Sequence, residues 1–436
     1  MGELSGYKGA ALRFLEKTGA AVGDVLEVRT SWGTVTGTLV PRYLYGDGEH
    51  IVLKLRSGYN VGLSLDGLVG ARVEAKGEKP SFAHHPPPRP AGGLPKVLLI
   101  GTGGTIASRV DYRTGAVRPA VTSDELYSLV PELSQLARVE PEIMFDILSE
   151  NITPAHWEKL ARRVARAVKE GADGVVITHG TDTLGYTAAA LSFALAGVPI
   201  PVILVGAQRS PDRPSSDAPL NLVAAVAMAG TAKFSGVYVA MHQGESDDKI
   251  ALHRGTRVRK NHTSRRDAFE SVDVPLAAVW GRAGLEHVAE GLPPRGGEFK
   301  PRPKFDEGAA LLKFYPSMPG GMVRAAKRSG AKIIVVEGTG LGHVSKEVAG
   351  ELRLFIRSGG VACMASQCVR GRLDLNVYDT GRDLLHMGVV PLGDMLAETA
   401  LAKAMWVLGT GASGARAKEM MLRDLAGETT ARTFPG

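Results

Sequence analysis

The stretch Lys96-Val-Leu-Leu-Ile100-Gly-Thr102-Gly-Gly-Thr105-Ile-Ala-Ser108 runs from four apolar residues straight into glycines and hydroxyls. An apolar run this short, ended by glycine, reads as a strand buried on both faces. Gly174-Val-Val-Ile177, Val202-Ile-Leu-Val205, Gly236-Val-Tyr-Val-Ala240 and Ile333-Ile-Val-Val336 repeat the pattern. Helical stretches separate most of them, for example His156 to Glu170 and Leu220 to Ala229. Such alternation predicts parallel strands joined by crossover helices, an α/β architecture.

In open parallel sheets ligands collect beyond the carboxyl ends of the strands. Three such ends are dense in small polar residues: Thr102-Gly-Gly-Thr105, Thr178-His-Gly-Thr181-Asp182-Thr183, and Gly206-Ala-Gln208-Arg-Ser-Pro. The first is a poor dinucleotide fingerprint, because Ile106 stands where a third glycine belongs and no acidic residue ends a second strand at the required distance. Its glycines instead let backbone N–H groups approach a substrate and leave Thr105 exposed at a sharp turn. A threonine hydroxyl needs a base before it attacks. Asp182 beside Thr181 supplies a carboxylate, and Lys260, in Val258-Arg-Lys260-Asn-His-Thr, supplies an amine that serves as base once it has lost its proton. Taken singly, each threonine reads as a strand-end or helix-start cap, and Lys260 as a solvated loop residue. The combination favours chemistry.

The rest of the chain divides by composition. Residues 22–75 hold short alternating stretches separated by Gly/Asp turns, which predicts a small β-barrel, with residues 1–18 adding a leading helix. His84-His-Pro-Pro-Pro-Arg-Pro-Ala-Gly-Gly is a rigid, solvated spacer. A second breaker-rich segment begins at Gly291. The expected division is a barrel over 1–82, a linker over 83–95, a large α/β domain over 96–290, a linker over 291–307 and a small α/β domain over 308–436.

Composition bounds the function. The 436 residues include only two cysteines, Cys363 and Cys368. A disulfide scaffold and a structural zinc site are thereby excluded, no metal is expected, and a reducing compartment is implied. A formal charge of +7 permits a polyanionic partner, but no basic run interleaved with aromatics is visible. Ala188 to Ala207 is apolar enough to suggest a membrane span, yet Gly197, Pro199 and Pro201 mark a helix end and a strand start. The N-terminus lacks the apolar core of a secretory signal. The expected location is the cytoplasm.

From Lys96 to the C-terminus the two threonine segments, with Gly206-Ala-Gln-Arg, Gly338-Thr-Gly-Leu-Gly, Ser366-Gln-Cys and Glu398-Thr-Ala-Leu-Ala-Lys403, resemble the bacterial-type L-asparaginase family. The resemblance implies a two-domain parallel-sheet fold, here preceded by an SH3- or Sm-like barrel, and amide hydrolysis through an acyl-threonine. It makes Thr105 the nucleophile of the first segment and Thr181, Asp182 and Lys260 its companions. Ser149 and Glu150 match the substrate-gripping pair, with Glu150 in place of a more usual glutamine, and Tyr112 falls in the lid after Thr105. Which threonine attacks first is left open. Leu341 stands where many free asparaginases carry asparagine, and the N-terminal extension is absent from them.

The layout as a whole is similar to the D subunits of archaeal glutamyl-tRNA(Gln) amidotransferases. That likeness implies glutamine as substrate and no cofactor in this chain, with ATP and Mg used by a partner subunit. It further implies a homodimer joined to two tRNA-binding kinase/transamidase subunits, a heterotetramer that meets Glu-tRNA(Gln) mainly through the partner. A stand-alone asparaginase or glutaminase with an accessory domain is the alternative.

Overall fold

The computed structural model describes Leu4 and residues 6–42, 47–55, 60–77, 92–103, 108–110, 117–119, 126–127, 130–209 and 215–432. The chain forms two compact units, one of residues 1–86 with 108–118, the other of 87–107 with 119–436. Most of the proline-rich spacer lies outside the described residues.

The first unit opens with helix Gly9–Thr18, ended by Gly19 in the left-handed region at φ 65°. Five antiparallel strands follow: β1 (Val25–Thr30), β2 (Gly33–Leu39), β3 (His50–Lys54), β4 (Asn60–Ser64) and β5 (Leu68–Ala75), in the order β4-β3-β2-β1-β5. The last strand returns to pair with the first. Alternate residues point inward, so Leu26, Val28, Leu39, Ile51 and Leu53 are buried with Ala11 and Leu15 of the helix. Tyr7 ties this core down, its hydroxyl donating to Val40 O at 2.8 Å and accepting from Val52 N at 3.1 Å.

The second unit begins with β6 (Lys96–Gly101). The short strands β7 (Ser108–Val110) and β8 (Val117–Pro119) come next in the chain and form a two-stranded sheet of their own. After them the second unit continues with β9 (Arg138–Ile143), β10 (Gly174–Thr178), β11 (Pro201–Val205) and β12 (Gly236–His242). β9, β6, β10, β11 and β12 lie side by side, all parallel. Residues of the three strands β10 to β12 are almost wholly buried, as continuous apolar runs require. The stretch from Ala188 to Ala207 resolves into the end of helix Leu184–Ala194 and β11. Among the described residues no helix is long and apolar enough to cross a membrane.

The sheet is not parallel throughout. β13 (Ile250–Arg254) pairs antiparallel with β12, because the seven residues between them are too few for a crossover helix. A small sheet of β14 (Val258–Lys260) and β15 (Phe269–Ser271) follows, and β16 (Ala278–Gly281) and β17 (Gly284–Val288) complete the antiparallel edge. β18 (Ala309–Lys313), β19 (Ile333–Gly338), β20 (Val361–Ser366) and β21 (Val390–Pro391) then form a second, wholly parallel sheet.

One hydrophobic core spans both sheets. Ile100, Val175, Ile177 and Leu204 of the large sheet share it with Val335, Val361 and Cys363 of the small one. Helix Leu184–Ala194 is buried over nearly its whole surface and packs against helix Ala397–Gly409, with Phe193 stacked on Trp406 at 5.9 Å between ring centroids. The alanines at 188–190 allow that close approach.

One buried ion pair crosses the join and a second braces its C-terminal side. Arg257 Nη2 lies 3.0 Å from Asp394 Oδ2, and its Nη1 donates to the carbonyls of Asp394 and Glu428 at 2.9 Å each. Lys403 Nζ lies 2.5 Å from Glu428 Oε1. All four side chains are fully buried. Removing one partner leaves a bare buried charge, so Asp394→Ala is expected to cost roughly 3–5 kcal/mol. Guanidinium unfolding of the two proteins measures this; a difference below about 1 kcal/mol would mean that water replaces the carboxylate.

Candidate active site

After β6 the chain moves to one side to form β9, then returns to the other side of β6 to form β10. Strand order therefore reverses at β6, and a crevice opens beyond the carboxyl ends of β6 and β10. Both ends carry the threonine segments. Thr102 closes them together, its N–H and its Oγ1 both donating to Thr178 O, at 3.2 and 2.8 Å.

Glycines set how near the pieces come. Gly103 has φ 112°, and a Cβ there would lie 2.1 Å from Ile147 O. A Cβ on Gly180 would lie 2.8 Å from Ser149 Cβ and 2.9 Å from its Oγ. One on Gly206 would lie 2.7 Å from Thr181 Cγ2. The ends of β6, β10 and β11 and the 147–149 loop are thus drawn onto one point. Thr183 adds a tie, donating through Oγ1 to Ser149 O at 2.6 Å.

Lys260 reaches this point from β14. Its ammonium donates to Thr181 Oγ1 at 2.9 Å and to Asp182 Oδ1 at 2.8 Å. Lys260 is 15% exposed and Asp182 72%. A hydroxyl, an amine and a carboxylate in contact form the arrangement by which a weak nucleophile is relieved of its proton. Ser149 is buried at the start of a 3₁₀ turn, Ser149–Asn151, with Glu150 exposed beside it. Thr105 and Tyr112 lie outside the described residues.

His179 lies within the Thr178–Thr183 segment, whose sequence assigns it no role of its own, and it is buried. Burial holds its pKa down at about 4, so the ring is neutral. Gly180 O, 2.7 Å from Nδ1, can only accept, which places the proton on Nδ1. Nε2 then accepts from Thr187 Oγ1 at 2.9 Å, and Thr187 accepts in turn from Trp157 Nε1 at 3.0 Å. This chain fixes the Gly180 carbonyl and so the peptide that presents Thr181. The only signal available was one histidine between a strand and a glycine, an arrangement too common to single out.

Residues behind Lys260 were also not singled out. Arg259, pointing away from the threonines, pairs with Glu398 at 3.3 Å. Nearby Glu337 is shifted upward by burial, partly offset by Lys313, and burial with the charges of Glu398 and Glu337 pushes Tyr186 up to about 12. At the β11 end the Asp217 carboxylate accepts from Gln208 N and Arg209 N at 2.9 Å each, holding the third polar segment in place.

Comparison with known proteins identifies the family. Residues 96–289 match the family model for the asparaginase N-terminal region and 309–421 that for the glutaminase/asparaginase C-terminal domain. Residues 20–73 match the GatD N-terminal domain. The chain is 45% identical to the glutamyl-tRNA(Gln) amidotransferase D subunit of Thermococcus kodakarensis over 427 residues, covering 96% of this chain and 97% of that one. The chain belongs to the family of these D subunits. The corresponding protein of Metallosphaera sedula is 46% identical over 432 residues, covering 98% of this chain and 97% of its own. Among solved structures, the thermostable L-asparaginase of Thermococcus kodakarensis superposes with a TM-score of 0.68 at 35% identity, over 77% of this chain and all of that one. The D-subunit family thus carries a whole asparaginase fold plus an N-terminal domain.

Two outcomes follow from the geometry. Gly180→Ala forces Ser149 and Thr181 apart, and displacement of this kind should lower kcat/KM for amide hydrolysis about 100-fold with little change in Tm. Activity within twofold of wild type would mean the 147–149 loop yields freely. For His179, the unfolded ring binds a proton near pH 6.5 and the folded one only near 4. Between these values the unfolded state holds more protons, so stability falls as pH drops through that window. His253, also held near 4 by burial, adds to the same slope. His179→Gln should flatten part of it in denaturant titrations between pH 6.5 and 4; an undiminished slope would count against the buried neutral ring.

Proposed function

We propose that this chain is the glutaminase subunit of a tRNA-dependent amidotransferase. The observation that carries the reading is the single ammonium of Lys260 shared between Thr181 and Asp182 at the carboxyl end of β10. Lys260 first gives up one proton, and a threonine hydroxyl then adds to the side-chain amide carbon of glutamine while its own proton passes to the freed amine. The carbon–nitrogen bond then breaks, the nitrogen takes up a proton, and ammonia leaves. Water cleaves the resulting ester, which frees glutamate and restores the threonine. Thr181 with Lys260 supplies one hydroxyl–base pair, and Thr105 supplies the second hydroxyl; Ser149 and Glu150 grip the ends of the amino acid.

The names of the relatives support the wider assignment, in which ammonia passes to a partner subunit that uses ATP and Mg to convert Glu-tRNA(Gln) to Gln-tRNA(Gln). In this reading two copies of the chain pair with two copies of the partner. The chain itself needs no cofactor, since a threonine, a base and a carboxylate suffice for amide cleavage.

Ammonia release from glutamine and from asparagine tests the reading, first with the purified chain and then with partner, ATP and Glu-tRNA(Gln). Release from glutamine that rises at least about tenfold with the full complement is expected, as a coupled site requires. Fast release from asparagine by the chain alone would leave a free asparaginase with an accessory domain. Lys260→Met should lower hydrolysis by about 10²–10⁴-fold, the usual contribution of a general base.

A further inference from the structure

At the end of the strands opposite to the threonines, β12 begins and β13 ends, with Tyr238 paired to Arg254. A cavity of about 270 Å³ opens there, lined by Ser192, Ser235, Tyr238, Arg254 and the turn Leu425–Gly427. It lies roughly a strand length, about 17 Å, from the catalytic end. Arg254 Nε is buried without a hydrogen-bond partner. The side chain is half-buried and its guanidinium has no ion pair among the described residues, so its charge is open to an anion from the cavity side.

The hydroxyls around it have already committed their hydrogens. Tyr238 donates to Ser235 O at 2.6 Å, Ser235 to Pro294 O at 2.8 Å and Ser192 to Ala188 O at 2.7 Å. What they present to the cavity is acceptor lone pairs, so the wall offers one strong cationic donor and several acceptors.

The cavity is held open by its own construction. A Cβ on Gly255 would lie 2.6 Å from Ser192 Oγ, and Gly236 has φ 118° with its Cβ position 3.2 Å from Tyr238 Oη. Only glycine fits at either place. The far wall is fixed by Glu428, whose carboxylate accepts from Leu425 N and Ala426 N at 3.0 and 2.7 Å while paired with buried Lys403. Thr256 Oγ1 pins Ala426 O at 3.1 Å.

We propose that this cavity binds a small oxyanion that also carries an O–H group, either hydrogen phosphate or a hydroxycarboxylate. Its acidic oxygens meet the Arg254 guanidinium and its O–H donates to the hydroxyl oxygens. The site is separate from amide hydrolysis and does not depend on the function proposed above.

The full chain titrated with inorganic phosphate and with sulfate, at matched ionic strength, tests this. Sulfate has the size and charge of phosphate but no O–H at neutral pH. Calorimetry should show phosphate binding about tenfold tighter than sulfate, the effect of one hydrogen bond to a charged group. Hydrogen–deuterium exchange should slow in segments 190–198 and 423–429. Arg254→Gln should weaken phosphate at least about tenfold and leave glutamine KM unchanged. Competition of glycolate, but not acetate, against bound phosphate would identify a hydroxycarboxylate as a ligand; glycolate without effect would assign the site to phosphate. No binding, equal binding of sulfate and phosphate, or protection elsewhere in the chain would overturn the proposal. The exchange and sulfate measurements use the unmodified protein, so they decide the matter even if Arg254→Gln fails to fold.

Discussion

A run of four residues, Arg257 to Lys260, holds the second unit's site and its core to one geometry. Arg257 is buried against Asp394, Val258 lies in the shared core, Arg259 pairs with Glu398, and Lys260 reaches Thr181 and Asp182. Strand alternation sends Arg259 and Lys260 to opposite sides. The ammonium at the site is therefore anchored from behind by carboxylates of the C-terminal half. A short two-stranded ribbon such as β14–β15 is weak alone; here both arginines and a buried valine fix it. The lysine's reach is set by packing rather than by its own flexible side chain.

The fold was largely legible because buried parallel strands leave continuous apolar runs. Val97 to Ile100, Val175 to Ile177 and Ile333 to Val336 each proved to be such a strand. The antiparallel extension was less visible: Ile250 to Arg254 is too short, and contains His253, to announce itself as a continuation of the sheet. Of the candidate site, Thr181, Asp182 and Lys260 meet as a group, and Ser149 adjoins them through Gly180 and Thr183. A contact between residue 182 and residue 260 leaves no periodicity in a sequence. The need for a base points to Lys260 and the resemblance of the motifs groups it with Thr181 and Asp182, but the contact itself is seen only in the fold.

What the sequence hid is mostly the support. His179 gains its meaning from Thr187, eight residues on and one helical segment away, and from Trp157, which comes from a different helix. Asp394 and Glu428 look like ordinary surface acids until their arginine and lysine partners are seen. For Asp394, burial pushes the carboxyl up, but hydrogen bonds from Thr430 and the charge of Arg257 outweigh it and leave the group more acidic than usual. A depressed carboxyl stabilises the fold above its unfolded pKa and loses that contribution as pH falls. The neutral histidines and this acid thus weaken the protein in the same direction.

Helix Leu184–Ala194 has a consequence for the way the chain is made. Its outer face is covered by helix Ala397–Gly409, whose first residue lies 203 positions after Ala194 (397 − 194). At about 5–20 residues per second, roughly 10–40 s of synthesis separate the two. For most of that interval, once β12 has been made at His242, an alanine-rich apolar helix sits beside the completed parallel strands with its outer face bare. The nascent large domain is then a sticky intermediate, and the last helices of the chain serve as its cover.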